Sequence, residues 1–170
     1  MISARDLERH FIDANFTASK LDLVTRSLRE AKRIPTAGRG LYAARVNAGI
    51  AAAMLVAYLG SSKGVTAAAR LAKLETARSA DGDLLLDVVR TMLVEPIDFV
   101  ELRISRIGRR GRLVFADGRT LWFSKTGTFP PADRVDVEGV VGPGVISNIA
   151  LALSGGSPII QPTDELYDAE

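Results

Sequence analysis

From Ser3 to Val94 the apolar positions recur at helical spacing, and from Phe99 onward they alternate. Ser3 begins a first helix that runs to Asn15: Asp6 stands at the capping-box offset, and Leu7 and Phe11 recur at i, i+4. After the break "NFT", a second helix starts near Thr17 to Ser19 and continues to Lys32 or Arg33, where Pro35 stops it. Leu21, Val24, Leu28 and Ala31 fall on one face of this helix, with Arg26, Arg29 and Arg33 opposite. In "IPTAGRGLYAARV", Gly38 and Gly40 can reverse the chain between two short strands around Ile34, Leu41, Tyr42 and Val46. A third, alanine-rich helix is predicted over Asn47–Leu59, with small residues that admit close neighbours. Past "GSSKG", a fourth spans Val65–Ala77 with the stripe Ala68, Leu71, Ala72 and Leu74. A fifth spans Asp83–Val94 and ends before Pro96.

In "FVELRISR", Val100, Leu102 and Ile104 alternate with Glu101, Arg103 and Ser105, the period of a half-buried strand. "IGRRG" reads as a turn, "RLVFA" as a second strand, Asp117–Gly118 as a two-residue hairpin turn and "RTLWFSK" as a third strand. "RVDVEGVV" offers a fourth strand, and "GVISNIALAL" fits a short helix or a buried strand equally. The pattern predicts an α+β fold. Residues 1–60 form a helical helix-turn-helix module, 61–97 connecting or oligomerisation helices, 98–154 a small antiparallel β-sheet module, and 155–170 an acidic flexible tail. A meander alone exposes one apolar face, so the sheet is expected to pack on the helices of residues 65–94 or on another subunit.

Composition narrows the class without naming a function. The 47% hydrophobic and 25% charged fractions are those of a soluble globular chain. No apolar run reaches the roughly 20 residues of a membrane span. Met1 is not followed by the pattern of a secretory leader, and with no cysteine there is neither disulfide nor thiolate metal site. The net charge of +2 hides an uneven distribution. Residues 1–45 carry nine Lys/Arg against five Asp/Glu, residues 99–125 seven against two, and residues 126–170 one against seven. Two basic zones point to a polyanionic partner more directly than the total does.

The first basic zone is the exposed face of the second helix. Arg26, Arg29 and Arg33, with Lys20 and Ser27 beside them, are the donors a helix in a major groove would use, and Arg39 and Arg45 extend the contact through the glycine loop. The plain alternative is a solvated face, since surface helices ordinarily carry Lys and Arg, and Asp22 weakens the potential here. The stretch "LVTRSLREAKRIPTAGRG", through Arg26, Leu28, Arg29, Ala31, Ile34, Gly38, Arg39 and Gly40, resembles the recognition-helix-to-wing passage of winged helix-turn-helix proteins. It is also similar to small DNA-binding proteins of phages and prophages, the small terminase subunits among them. The resemblance covers about the first third of the chain and implies duplex DNA recognition.

The second basic zone, "RISRIGRRGR", crowds Arg103, Arg106, Arg109, Arg110 and Arg112 onto one hairpin, either to grip phosphates or to keep a sheet edge soluble. Phe115 and Phe123 are assigned to the sheet core, with Trp122 on the other face. Catalytic signals are poor. His10 stands alone, Asp133, Asp136 and Glu138 have no further ligand spaced to help them hold a divalent ion, and "VVGPGVIS" lacks the rest of a phosphate-loop motif. The sequence therefore predicts a non-enzymatic, cofactor-free protein of the cytoplasm, and the resemblance to phage and prophage proteins implies a bacterial cell. Its expected role is sequence-specific double-stranded DNA binding as a homo-oligomer, in transcriptional regulation or DNA packaging, with no membrane and no small-molecule substrate. The other reading is a protein-interaction module that docks a partner through its acidic tail.

Overall fold

The computed structural model of the chain describes residues 2–36, 45–62, 65–95, 97–125 and 138–155. Six helices and one sheet make an α+β fold: α1 (Ala4–Asp13), α2 (Ala18–Glu30), α3 (Ala48–Gly60), α4 (Ala67–Leu74), α5 (Leu85–Met92), strands β1 (Phe99–Ser105), β2 (Gly111–Phe115), β3 (Thr120–Phe123) and β4 (Glu138–Val141), then α6 (Pro143–Leu153). The strands are antiparallel in the order β3-β2-β1-β4.

Local chemistry sets the first two helices. Ser3 Oγ accepts from Asp6 N at 3.2 Å while Ser3 N donates back to Asp6 Oδ2 at 3.3 Å, completing the capping box. Both helices end through a left-handed residue, Asn15 at φ 65° and Lys32 at φ 55°. Phe16 N then donates to Phe11 O at 3.0 Å, and Arg33 N to Leu28 O at 2.8 Å, which satisfies carbonyls left over at the helix ends. The two-helix unit is stapled to α3 by Tyr58, whose hydroxyl accepts from Thr17 N at 3.0 Å and whose ring packs edge-on against Phe16 at 4.6 Å.

The centre of the molecule is α3. It is apolar on every side, and Ala51 through Ala57 are all buried, the pattern of a helix enclosed by its neighbours. Its alanines let α2, α4, α5 and the sheet approach closely. Each fully buried large side chain it gathers, such as Leu55, Leu71 or Ile104, contributes about 2 kcal/mol. At Gly139 a Cβ would lie 2.8 Å from Leu59 Cα, so β4 can lie against α3 only without a side chain there. One cluster of buried residues runs from Ala4 to Ile149, joining the helical part to the sheet.

Several expectations change. The sheet packs chiefly on α3, within the predicted third helix, rather than on the helices of residues 65–94. A bulge between Phe99 and Glu101 shifts the strand phase, so Phe99 turns inward with Leu102 and Ile104 while Val100 is exposed. The segment from Gly142 is the helical alternative, started by Pro143 at its first position. The turn at Asp117–Gly118 is one residue longer than predicted: Phe115 N donates to Arg119 O at 2.9 Å, with Gly118 left-handed at φ 85°. On α4 the buried stripe is Ala67, Arg70, Leu71 and Leu74, while Ala72 is exposed and Ala68 only half-buried. Ala31 caps α2 and is exposed. The strands predicted around Gly38 and Gly40 fall largely outside the described residues.

Candidate functional site

The basic face of α2 is mostly spoken for by the protein itself. Arg29 is half-buried and donates to Glu8 of α1. Arg33 pairs with Glu75 past α4 at 3.2 Å, and Arg26 pairs with Asp22 one turn earlier at 3.0 Å. Ser27 Oγ accepts from Ala68 N at 3.1 Å, capping α4 from outside it. The expectation that Arg29 lies on the exposed face opposite the apolar stripe is therefore corrected. At 100° per residue it lies on the flank of the stripe, within reach of α1. The outward face of α2 carries Ser19, Asp22, Leu23, Arg26 and Glu30, a near-neutral mixture. Arg39 lies outside the described residues. Arg45 is exposed and bridges its backbone to Ser3.

The two basic zones meet elsewhere, where the first turns of α2 face the β1–β2 turn. Lys20 Nζ sits 4.1 Å from the centre of the Tyr58 ring, a cation–π seat that fixes a flexible side chain. Half-burial holds the Lys20 ammonium below the ordinary lysine value, and the positive charge of Arg106 lowers it further. Neither Lys20 nor Arg106 has a carboxylate partner among the described residues, and Arg106 Nε is buried with no hydrogen-bond acceptor. Within the β1–β2 turn, Arg109 is exposed and Arg110 is half-buried.

The turn that presents Arg106 and Arg109 is held by a residue the periodicity had hidden. Arg70, 2% exposed, reaches from α4 through Nε to Gly60 O at 2.9 Å, and through its two terminal nitrogens to Ser105 O at 2.5 Å, Ile107 O at 3.2 Å and Gly108 O. Four carbonyls around one buried guanidinium offset much of its desolvation, because charged donors make the stronger hydrogen bonds. Ser105 Oγ adds acceptance from Gly108 N at 2.7 Å and Ile107 N at 3.2 Å. The signal was an arginine at an apolar-stripe position, i+3 from Ala67 and one before Leu71.

Lys20 and Arg106 look into a cleft of about 660 Å3 between α2, α4 and the turn. Ser27, Ser62 and Thr66 line it, and no carboxylate among the described residues does. Its rim is aliphatic: Leu23 is 64% exposed, Ile107 is 67% exposed, and Val65 joins them.

The other singled-out residues sit apart. Arg103 and Arg112 lie on the sheet face away from α3. Arg103 binds Glu101 at 2.6 Å, both approach Glu138 at 3.5 Å, and Arg112 stacks 5.3 Å from the Trp122 ring. This absorbs Glu138 into ion pairs, while Asp133 and Asp136 fall outside the described residues. Phe123 is buried and Phe115 half-buried beneath Arg119, at 5.0 Å. His10 is half-buried on α1, with Nδ1 unpartnered.

No helix among the described residues is long and apolar enough to cross a membrane. No family model matches the chain, and neither a curated protein nor a solved structure matches it.

Proposed function

We propose that this protein binds double-stranded DNA through its phosphate backbone, at the junction between the start of α2 and the β1–β2 turn. One observation carries the reading: Lys20 and Arg106, from basic zones far apart in sequence, line one cleft without a carboxylate partner among the described residues. Like charges on one cleft raise each other's cost, and a bound phosphate offsets it. Arg109, exposed in the same turn as Arg106, supplies a further cation. Base reading by α2 has less support than the sequence alone gave it, since Arg26, Arg29 and Arg33 each have an acidic partner. Contacts of this kind position a protein on a duplex without specifying sequence.

The test is duplex binding by fluorescence anisotropy between about 50 and 200 mM salt, where phosphate contacts dominate. Arg106→Gln and Arg109→Gln should each weaken unrelated duplexes alike and lower the salt slope by about one. Arg26→Ala should change little. Parent-like affinity and slope in both hairpin variants would sink the proposal.

A further inference from the structure

The cleft below Lys20 and Arg106 has a chemistry that a duplex backbone does not use in full. Its polar wall consists of donors. Ser27 Oγ already accepts from Ala68 N and Thr66 Oγ1 from Ala69 N at 3.3 Å, so each hydroxyl keeps its proton to give. Lys20 supplies an ammonium and Arg106 a guanidinium. Thr66 also caps α4, so the positive end of that helix adds to the same wall. A group rich in acceptor oxygens and carrying up to two negative charges matches this wall. The opposite side is aliphatic, formed by Leu23, Val65 and Ile107, and sugar-phosphate backbone has nothing to bury there. The volume of about 660 Å3 falls within the roughly 300–1,000 Å3 of small-molecule sites.

We infer that this cleft binds a small organic phosphate monoester, with its phosphate on Lys20, Arg106 and the hydroxyls and its apolar or ring body against Leu23, Val65 and Ile107. The inference uses the same two cations as the DNA reading and adds a consequence: bound ligand and duplex compete for them. It differs in requiring the aliphatic rim, which DNA contact does not.

Isothermal titration of the full chain with inorganic phosphate, adenosine monophosphate and hexyl phosphate tests it. At least one organic phosphate should bind about 10-fold or more tighter than inorganic phosphate, the effect of burying roughly two methylene groups. Preference for the nucleotide identifies a ring body, and preference for hexyl phosphate an alkyl one. Arg106→Gln should abolish binding of either. Leu23→Asn with Val65→Asn, both at exposed positions, should weaken the organic phosphates at least 5-fold while leaving inorganic phosphate and duplex binding as in the parent. Two results overturn the inference: organic phosphates binding no better than inorganic phosphate, or rim variants binding them like the parent. Duplex binding without organic phosphate binding defeats this inference alone, and the reverse defeats the DNA reading alone.

Discussion

Arg29 of α2 donates to the carboxylate of Glu8 of α1, with each side chain about a quarter exposed. The pair therefore joins two helices in a place where water screens it only partly. Arg29→Ala should cost about 1 kcal/mol of stability, because a half-buried Glu8 loses its partner. Urea denaturation measures this, and adding Glu8→Ala should recover part of the loss. Duplex affinity at several sequences should stay unchanged. A fall in affinity with unaltered stability would return Arg29 to a reading role.

The capping box gives the acid limb of stability a named contributor. The hydroxyl of Ser3, and then its backbone N–H, hold the Asp6 carboxyl below its ordinary value of 3.8. A carboxyl with a lowered native value stabilises the fold above its unfolded value, and that contribution is lost as pH falls through the native one. Asp6→Asn should flatten this part of the stability curve below about pH 4. Ser3→Ala should cost about 1 kcal/mol near neutrality. Chemical unfolding at a series of pH values reads both.

Lys32 occupies the left-handed region at φ 55°, where a Cβ is unfavourable and glycine is at ease. Its side chain is exposed. Lys32→Gly should therefore stabilise the end of α2, raising unfolding free energy by roughly 1 kcal/mol. An unchanged or lower denaturation midpoint would count against the cap as described.

Two glycines separate packing from backbone freedom. Gly118, at φ 85°, has nothing near its missing Cβ, so Gly118→Ala should cost only about 1 kcal/mol of backbone strain. Gly139 would place a Cβ 2.8 Å from Leu59 Cα, and its neighbours there are backbone. Gly139→Ala must push β4 away from α3 and should cost about 3 kcal/mol or more, in the range of severe overpacking. Thermal unfolding of the two variants ranks them, and equal losses would contradict the contact between β4 and α3.

Lys20 reports on its own site. Burial, then Arg106, hold its ammonium below the ordinary 10.5, so at neutral pH the charge is a cost to the fold that fades as pH rises toward that value. A bound phosphate reverses the sign, since an anion favours the protonated form. Ligand binding in the alkaline range just below the ordinary value should thus be accompanied by proton uptake, seen as a raised Lys20 titration midpoint by NMR. A midpoint that stays put with phosphate bound would place the anion away from Lys20.

Features that depend on near neighbours are legible along the chain. Capping by Ser3 and Asp6, the stop after Lys32, the alanine-rich third helix and the three-strand meander all rest on local dihedral preference and side-chain period, and all lie within a turn or two of their predicted limits. Partnership between distant segments emerges only in the folded chain. Arg26, Arg29, Arg33 and Lys20 are alike as cations of one stretch of sequence. Yet Asp22, Glu8 and Glu75 take three of them, and Lys20 is left facing Arg106. Arg70 looked like an interruption of an apolar stripe until the carbonyls of Gly60, Ser105, Ile107 and Gly108 converged on it. Periodicity records which way a side chain points relative to its own helix axis. It holds no information about the charge or acceptor that another element brings to meet it, and that meeting separates a solvated arginine from a clamp or a binding group.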